Sequence, residues 1–196
     1  MATELYPGEL PVIPRKKINA ALDLKAGLAS PTFTGTVTLP DVLFGSGGGL
    51  ACGEIWVKDN VNVTTLNSAS KVQFVHFDNN GATNNMTPDH TSDHITIDHD
   101  GLYYVHVTIA VENAAAQAHT INIGLFKNNG VTQFDNIHNH RNLAAGGGDR
   151  GSMSMAGIIS PSATDTIELW VNTDAAANRD VIMEDVNMSI IQIGAA

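Results

Sequence analysis

Charge is scarce in this chain. Only 15% of its 196 residues are Asp, Glu, Lys or Arg, a poor supply for a helical bundle, whose outer faces need Glu and Lys. Bases are scarcer than acids, 10 against 20, for a formal net charge of −10. A phosphate-gripping surface needs clustered Lys and Arg, and the only such cluster is Arg15-Lys16-Lys17. Nucleic acid is therefore not an expected partner of the main body. Cys52 is the single cysteine, so no intrachain disulfide can form. Its neighbours Leu50, Ala51 and Gly53 suit a small packed residue better than a nucleophile. No apolar run is long enough for a bilayer-spanning helix, so membrane insertion is not expected. The opening Met1-Ala-Thr-Glu-Leu-Tyr-Pro7 lacks the basic start and apolar run of a secretory leader. That predicts synthesis in a cytoplasm.

What is abundant is β patterning. After Gly101, the residues Leu102, Tyr104, His106, Thr108 and Ala110 fall on one side of an extended chain. Tyr103, Val105, Val107, Ile109 and Val111 fall on the other, which is apolar throughout, as expected for a strand with one side against a core. Ile121, Ile123, Leu125 and Lys127 repeat the period, and Asn128-Asn129-Gly130 supplies residues that tolerate positive φ. Strands are predicted over 54–58, 72–77, 94–98, 102–112, 119–127, 132–138, 151–160, 165–172 and 186–193, the spacing of a sandwich or barrel. Asn79-Asn80-Gly81, Asn128-Asn129-Gly130 and Ser160-Pro161-Ser162 read as turns, and Ala144–Asp149 as a loop.

The N-terminal quarter reads differently. Pro7, Pro11 and Pro14 with Gly8 keep residues 1–14 extended. Leu5, Tyr6, Leu10, Val12 and Ile13 give that arm apolar teeth, which suit docking on another protein, with Arg15, Lys16 and Lys17 beside them. Residues 15–26 suit a short helix with Ile18 and Leu22 on one side and Gly27 as its stop. Phe33, Gly35, Val37 and Leu39 then alternate with threonines between Pro31 and Pro40, a β segment with one apolar side. A short helix and a lone strand cannot bury their apolar sides within one chain, whereas several copies around an axis can. Gly45–Gly49 is a flexible link, and the boundary is set there: 1–49 as anchor and stalk, 50–196 as the main domain.

Motifs for chemistry are weak. His90, His94 and His99 lie among Asp89, Asp93, Asp98 and Asp100, and His138 and His140 share a strand face. A metal site needs three or four converging ligands, and turn or surface histidines are the favoured reading. No nucleophile elbow or phosphate loop is present. Asp165 reads as a turn residue and Glu168 as a solvent-facing strand residue. Asn62, Asn85 and Asn187 fit the glycosylation pattern, which is uninformative without a secretory signal. No catalytic residue, cofactor or metal is assigned. Trp56 and Trp170 read as core residues, and a glycan would more readily meet exposed loops such as 78–93 and 139–150.

Two resemblances bear on function. Leu28-Ala-Ser-Pro-Thr-Phe-Thr-Gly-Thr-Val37 resembles a segment that recurs in the homotrimeric fibre proteins of bacteriophages. Residues 54–194 resemble the C1q and tumour-necrosis-factor type jelly roll. The landmarks are Gly101-Leu-Tyr-Tyr104, Leu125-Phe-Lys-Asn-Asn-Gly130, Ser162–Leu169 and Met188–Gly194. The chain departs from that family at Thr164-Asp165, where Gly-Asp is usual, and at Met188, where an aromatic is usual. Both resemblances imply a homotrimer. They imply an all-β jelly-roll sandwich carrying an extended arm, a short helix and an intertwined β stalk. Leu5, Tyr6, Leu10, Val12, Ile13 and Arg15-Lys16-Lys17 would anchor it on a virion. Ile18, Leu22, Leu28, Phe33, Val37 and Leu39 would hold the stalk together. The expected function is a non-enzymatic capsid decoration (cement or head-fibre) protein on the virion surface, bound to the major capsid protein. The alternative is a short tail fibre, bound to a tail protein, whose knob meets a host receptor. A host-surface glycan is a further candidate partner.

Overall fold

The computed structural model describes residues 50–195. The arm, helix, stalk and glycine link expected within 1–49 lie outside the described residues, and so do all the anchoring and stalk residues named above.

Twelve strands are described: β1 (Cys52–Val57), β2 (Val63–Leu66), β3 (Val72–Gln73), β4 (Asn79–Asn84), β5 (Met86–Asp89), β6 (His94–Ile97), β7 (Leu102–Asn113), β8 (His119–Lys127), β9 (Thr132–Leu143), β10 (Arg150–Ile159), β11 (Thr166–Thr173) and β12 (Arg179–Gly194). They form two six-stranded sheets with every pairing antiparallel. The first runs β10-β7-β12-β1-β4, with β2 also on β12; the second runs β5-β6-β11-β8-β9, with β3 also on β11. The expected all-β sandwich is the observed architecture.

The core lies between the sheets. Tyr103, Val105, Val107, Ile109 and Val111 of β7 all point into it. Ile121, Ile123 and Leu125 of β8 and Ile167, Leu169 and Val171 of β11 come from the other sheet into the same cluster. Each such side chain contributes about 1.5–3 kcal/mol when taken from water. The hydroxyl of Tyr103 keeps a partner, donating to the carbonyl of His99 at 2.6 Å.

β12 is twice as long as its alternation suggests. Val181 and Met183 point inward, and so do Val186, Met188 and Ile190. The parity switches at a bulge between Met183 and Asp185, where one extra residue resets which side chains face the core. Asn60 brackets the bulge. Its amide donates to the carbonyl of Met183 at 2.9 Å, and its N–H donates to the carbonyl of Glu184 at 2.8 Å.

Four local expectations are corrected. Asn79-Asn80-Gly81 is not a turn but the start of β4, where the Glu54 side chain lies against Gly81 and leaves no room for a Cβ. β2 and β5 were not expected, and the segment 78–93 is largely strand rather than loop. β9 runs on to Leu143, so the loop after it begins at 144. The turn near Ser160 lies further on, with Thr164 at φ 73° and the N–H of Asp165 donating to the carbonyl of Ser162.

A fifth correction is Glu168, which is 1% exposed rather than solvent-facing. It holds the β8–β9 turn, in which Asn128, Asn129 and Gly130 all have positive φ. Asn129 and Gly130 donate their N–H groups to its carboxylate at 2.8 and 3.1 Å, Thr166 its hydroxyl at 2.7 Å and Trp170 its indole N–H at 2.9 Å. Asp165 supports the same turn, accepting from Lys127 Nζ at 2.8 Å and from the Asn128 amide at 2.7 Å. Burial would raise the Asp165 pKa, but these hydrogen bonds outweigh it and the pKa is lowered.

Glu168→Ala leaves four donors without their acceptor, and should cost about 3 kcal/mol of stability in urea unfolding at fixed protein concentration. Glu168→Gln should lose less, because one oxygen remains.

Candidate functional site

The outward face of the first sheet has three zones, set by register. Ile158 of β10, Tyr104 of β7, Ile191 of β12 and Cys52 of β1 form one row across four strands. Leu102 and Ile193 extend this row toward the sheet end, so that five large apolar side chains stand 39–53% exposed together. Ile193 is the extra residue of a second bulge, between Gln192 and Gly194. The next rows are mostly polar: Ala156, His106, Ser189 and Glu54, then Ser154, Thr108 and Asn187 with Trp56 at the β1 end. Glu54 accepts from the Asn187 amide at 2.6 Å and from the Ser189 hydroxyl at 3.3 Å. The far end is ionic, with Arg150 at 2.6 Å from Glu112 and 3.4 Å from Glu184.

Contiguous exposed apolar surface of this kind marks an interaction site. β9 and β10, the adjoining edges of the two sheets, are stitched by side chains. Asn136 and Asn139 donate to the carbonyls of Ile158 and Ser154 at 2.9 and 2.7 Å. That edge is therefore closed against strand addition.

Neither tryptophan is a core residue, contrary to the sequence expectation. Ile55 and Val57 take the inward positions of β1 and Leu169 and Val171 those of β11, so strand alternation places Trp56 and Trp170 on the two outer faces, each half-buried. The apolar surroundings in sequence concealed which parity faced the core.

The His/Asp-rich segment does not converge. Among the described residues no group of three or more His, Cys, Asp or Glu side chains is placed to hold a metal ion. Asp93 is instead a structural carboxylate. It is 7% exposed, sits at φ 56°, and accepts the N–H of Phe77 at 3.0 Å. Burial pushes its pKa up to about 6, partly offset by the Phe77 N–H; the charge of Asp89 pushes the same way as burial, and His90 and His94 oppose it. Asp89, half-buried and bonded by Thr91 and Ser92, is held down to about 2.

The chain is similar in fold to the solved structure of Eiger TNF from S. frugiperda, with a TM-score of 0.55 and 15% identity over 75% of this chain and 94% of that one. At that identity the likeness shows the fold alone, a TNF-like jelly roll. No family model and no curated protein matches the sequence.

Asp93 binds a proton more readily folded than unfolded, where its reference value is 3.8. Its charged form therefore weighs against the fold, and this contribution to stability falls as pH rises from about 4 to 6. Asp93→Asn keeps the acceptor for Phe77 and tolerates positive φ. It should stabilise the protein by about 1–2 kcal/mol near neutral pH, with the gain vanishing near pH ~4. Paired thermal melts across that range check it; a gain independent of pH would count against the account.

Proposed function

We propose that the protein is a structural component of a bacteriophage particle, a homotrimeric capsid decoration protein of the cement or head-fibre type. In this reading the N-terminal arm seats it on the major capsid protein and the jelly roll projects as a knob on the virion surface. It is made in the host cytoplasm and is not an enzyme; its chemistry is burial.

The observation that carries self-association is the apolar end of the first sheet. Leu102, Tyr104, Ile158, Ile191 and Ile193 stand exposed together, and a solitary copy leaves them wet. Three copies about an axis cover one another's faces, and obligate interfaces of this kind bury on the order of 2,000 Å² or more. The TNF-like fold supports this reading, and so does the likeness of Leu28–Val37 to the segment found in bacteriophage fibres. That same segment favours a second reading, a short tail fibre bound to a tail protein. The short stretch between arm and knob gives little reach, which favours decoration.

Full-length protein should sediment at three times the mass of one chain. In a fragment spanning 50–196, which lacks the stalk, Tyr104→Asp combined with Ile191→Asp should shift the mass from three chains to one, by placing carboxylates in the covered row. A fragment spanning 50–196 should still trimerise but lose binding to undecorated capsids. Mixing the full-length protein with capsids and with host cells separates the two readings: adsorption to cells without capsid binding would sink decoration.

A further inference from the structure

The outer face of the second sheet carries a hollow of about 250 Å³, and its origin is in the backbone. One outward row runs Gln73, Trp170, Gly124, His138 across β3, β11, β8 and β9. Gly124 contributes no side chain, so the row is low at its centre, where Phe126 and Gln133 lean in to 3.1 and 3.2 Å from the place of its missing Cβ. The β8–β9 register also shifts there: Gly124 opposes His138, while Phe126 opposes Gln133. β9 thus loops out between Gln133 and His138 and raises one wall.

The aromatic side of the hollow is fixed in place. The Trp170 indole N–H is held by Glu168 at 2.9 Å. The ring lies against Gly130, where a Cβ would come within 2.6 Å of it. Phe126 packs at 5.9 Å from Trp170, and Lys71 Nζ lies 4.4 Å above the Phe126 ring while donating to the Gln133 amide oxygen at 2.7 Å.

The polar side is unspent. Asn172 and Asn122 are direct register partners, and His140 continues their row. Neither asparagine is among the side chains that hydrogen-bond within the described residues. His138 Nδ1 lies 2.8 Å from the Asp135 carbonyl. That nitrogen must carry the hydrogen, which leaves Nε2 available to a ligand. Lys71 and two histidines border the hollow and no carboxylate does, in a chain with twice as many acids as bases.

We propose that this hollow binds a saccharide unit bearing an acidic group. A rigid aromatic suits the C–H face of a sugar ring. Paired amides offer both donors and acceptors to neighbouring hydroxyls, and Lys71 offers a counter-charge to a carboxylate. The volume fits about one sugar ring, below the usual range for drug-sized ligands. The walls are too polar for a lipid chain, and two histidines without a carboxylate are a poor metal set. The site lies across the sandwich from the apolar row of the first sheet, so covering that row leaves it open. It rests on neither trimer formation nor capsid attachment.

The test is saturation-transfer NMR on the full-length protein with D-glucuronate, D-galacturonate and N-acetylneuraminate, and with D-glucose and D-galactose as uncharged counterparts. At least one acidic sugar should bind with Kd of about 1–10 mM, more tightly than either neutral one. Asn122→Ala and Asn172→Ala should each weaken it about fivefold with the melting temperature unchanged, since neither amide supports the fold. Trp170→Ala should abolish binding. No acidic sugar bound at about 50 mM, neutral sugars bound as tightly, or binding untouched by the two asparagine variants would each overturn the proposal, whatever the oligomeric state proves to be.

Discussion

The two inner faces of the sandwich must meet dry. Tyr103, Val105, Val107, Ile109 and Val111 on β7 and their counterparts on β8, β11 and β12 form one contiguous cluster. A one-residue slip in any of these strands would carry its apolar set to solvent. Register is therefore fixed wherever the core is touched. Where chain length and register conflict, the structure resolves it with a bulge, as between Met183 and Asp185.

Fixing the inner faces also fixes the outer ones, because alternate residues have nowhere else to go. On the first sheet the outward rows grade from apolar through mostly polar to ionic. On the second they enclose a hollow centred on Gly124. The two faces thus differ in chemistry while sharing one core. Glu168 links the levels: it is buried, it holds the β8–β9 turn, and it fixes Trp170 beside the hollow.

Much of the sandwich was legible because its longest strands alternate cleanly. β7 and β8 could be read almost residue by residue, and the Asn128-Asn129-Gly130 turn from residues that tolerate positive φ. β4 was missed because Asn-Asn-Gly is ordinarily a turn; it is a strand here because it pairs with β1, Asn79 opposite Trp56 and Asn80 opposite Ile55. Half of β12 was missed because a bulge breaks the period on which the reading depends. Both tryptophans were assigned to the core because their neighbours in sequence are apolar.

The sequence by itself determined the fold class, since period-2 alternation is a local property of consecutive residues. It also carried the apolar set of β7 and the outward position of Tyr104. It did not determine which residues would meet across strands. Glu168 with the turn at 129–130, Ile158 beside Tyr104 and Ile191, and Asn172 opposite Asn122 join strands far apart along the chain. Only the tertiary pairing decided them, because a contact across strands depends on register, and register is set by the packing of the whole core.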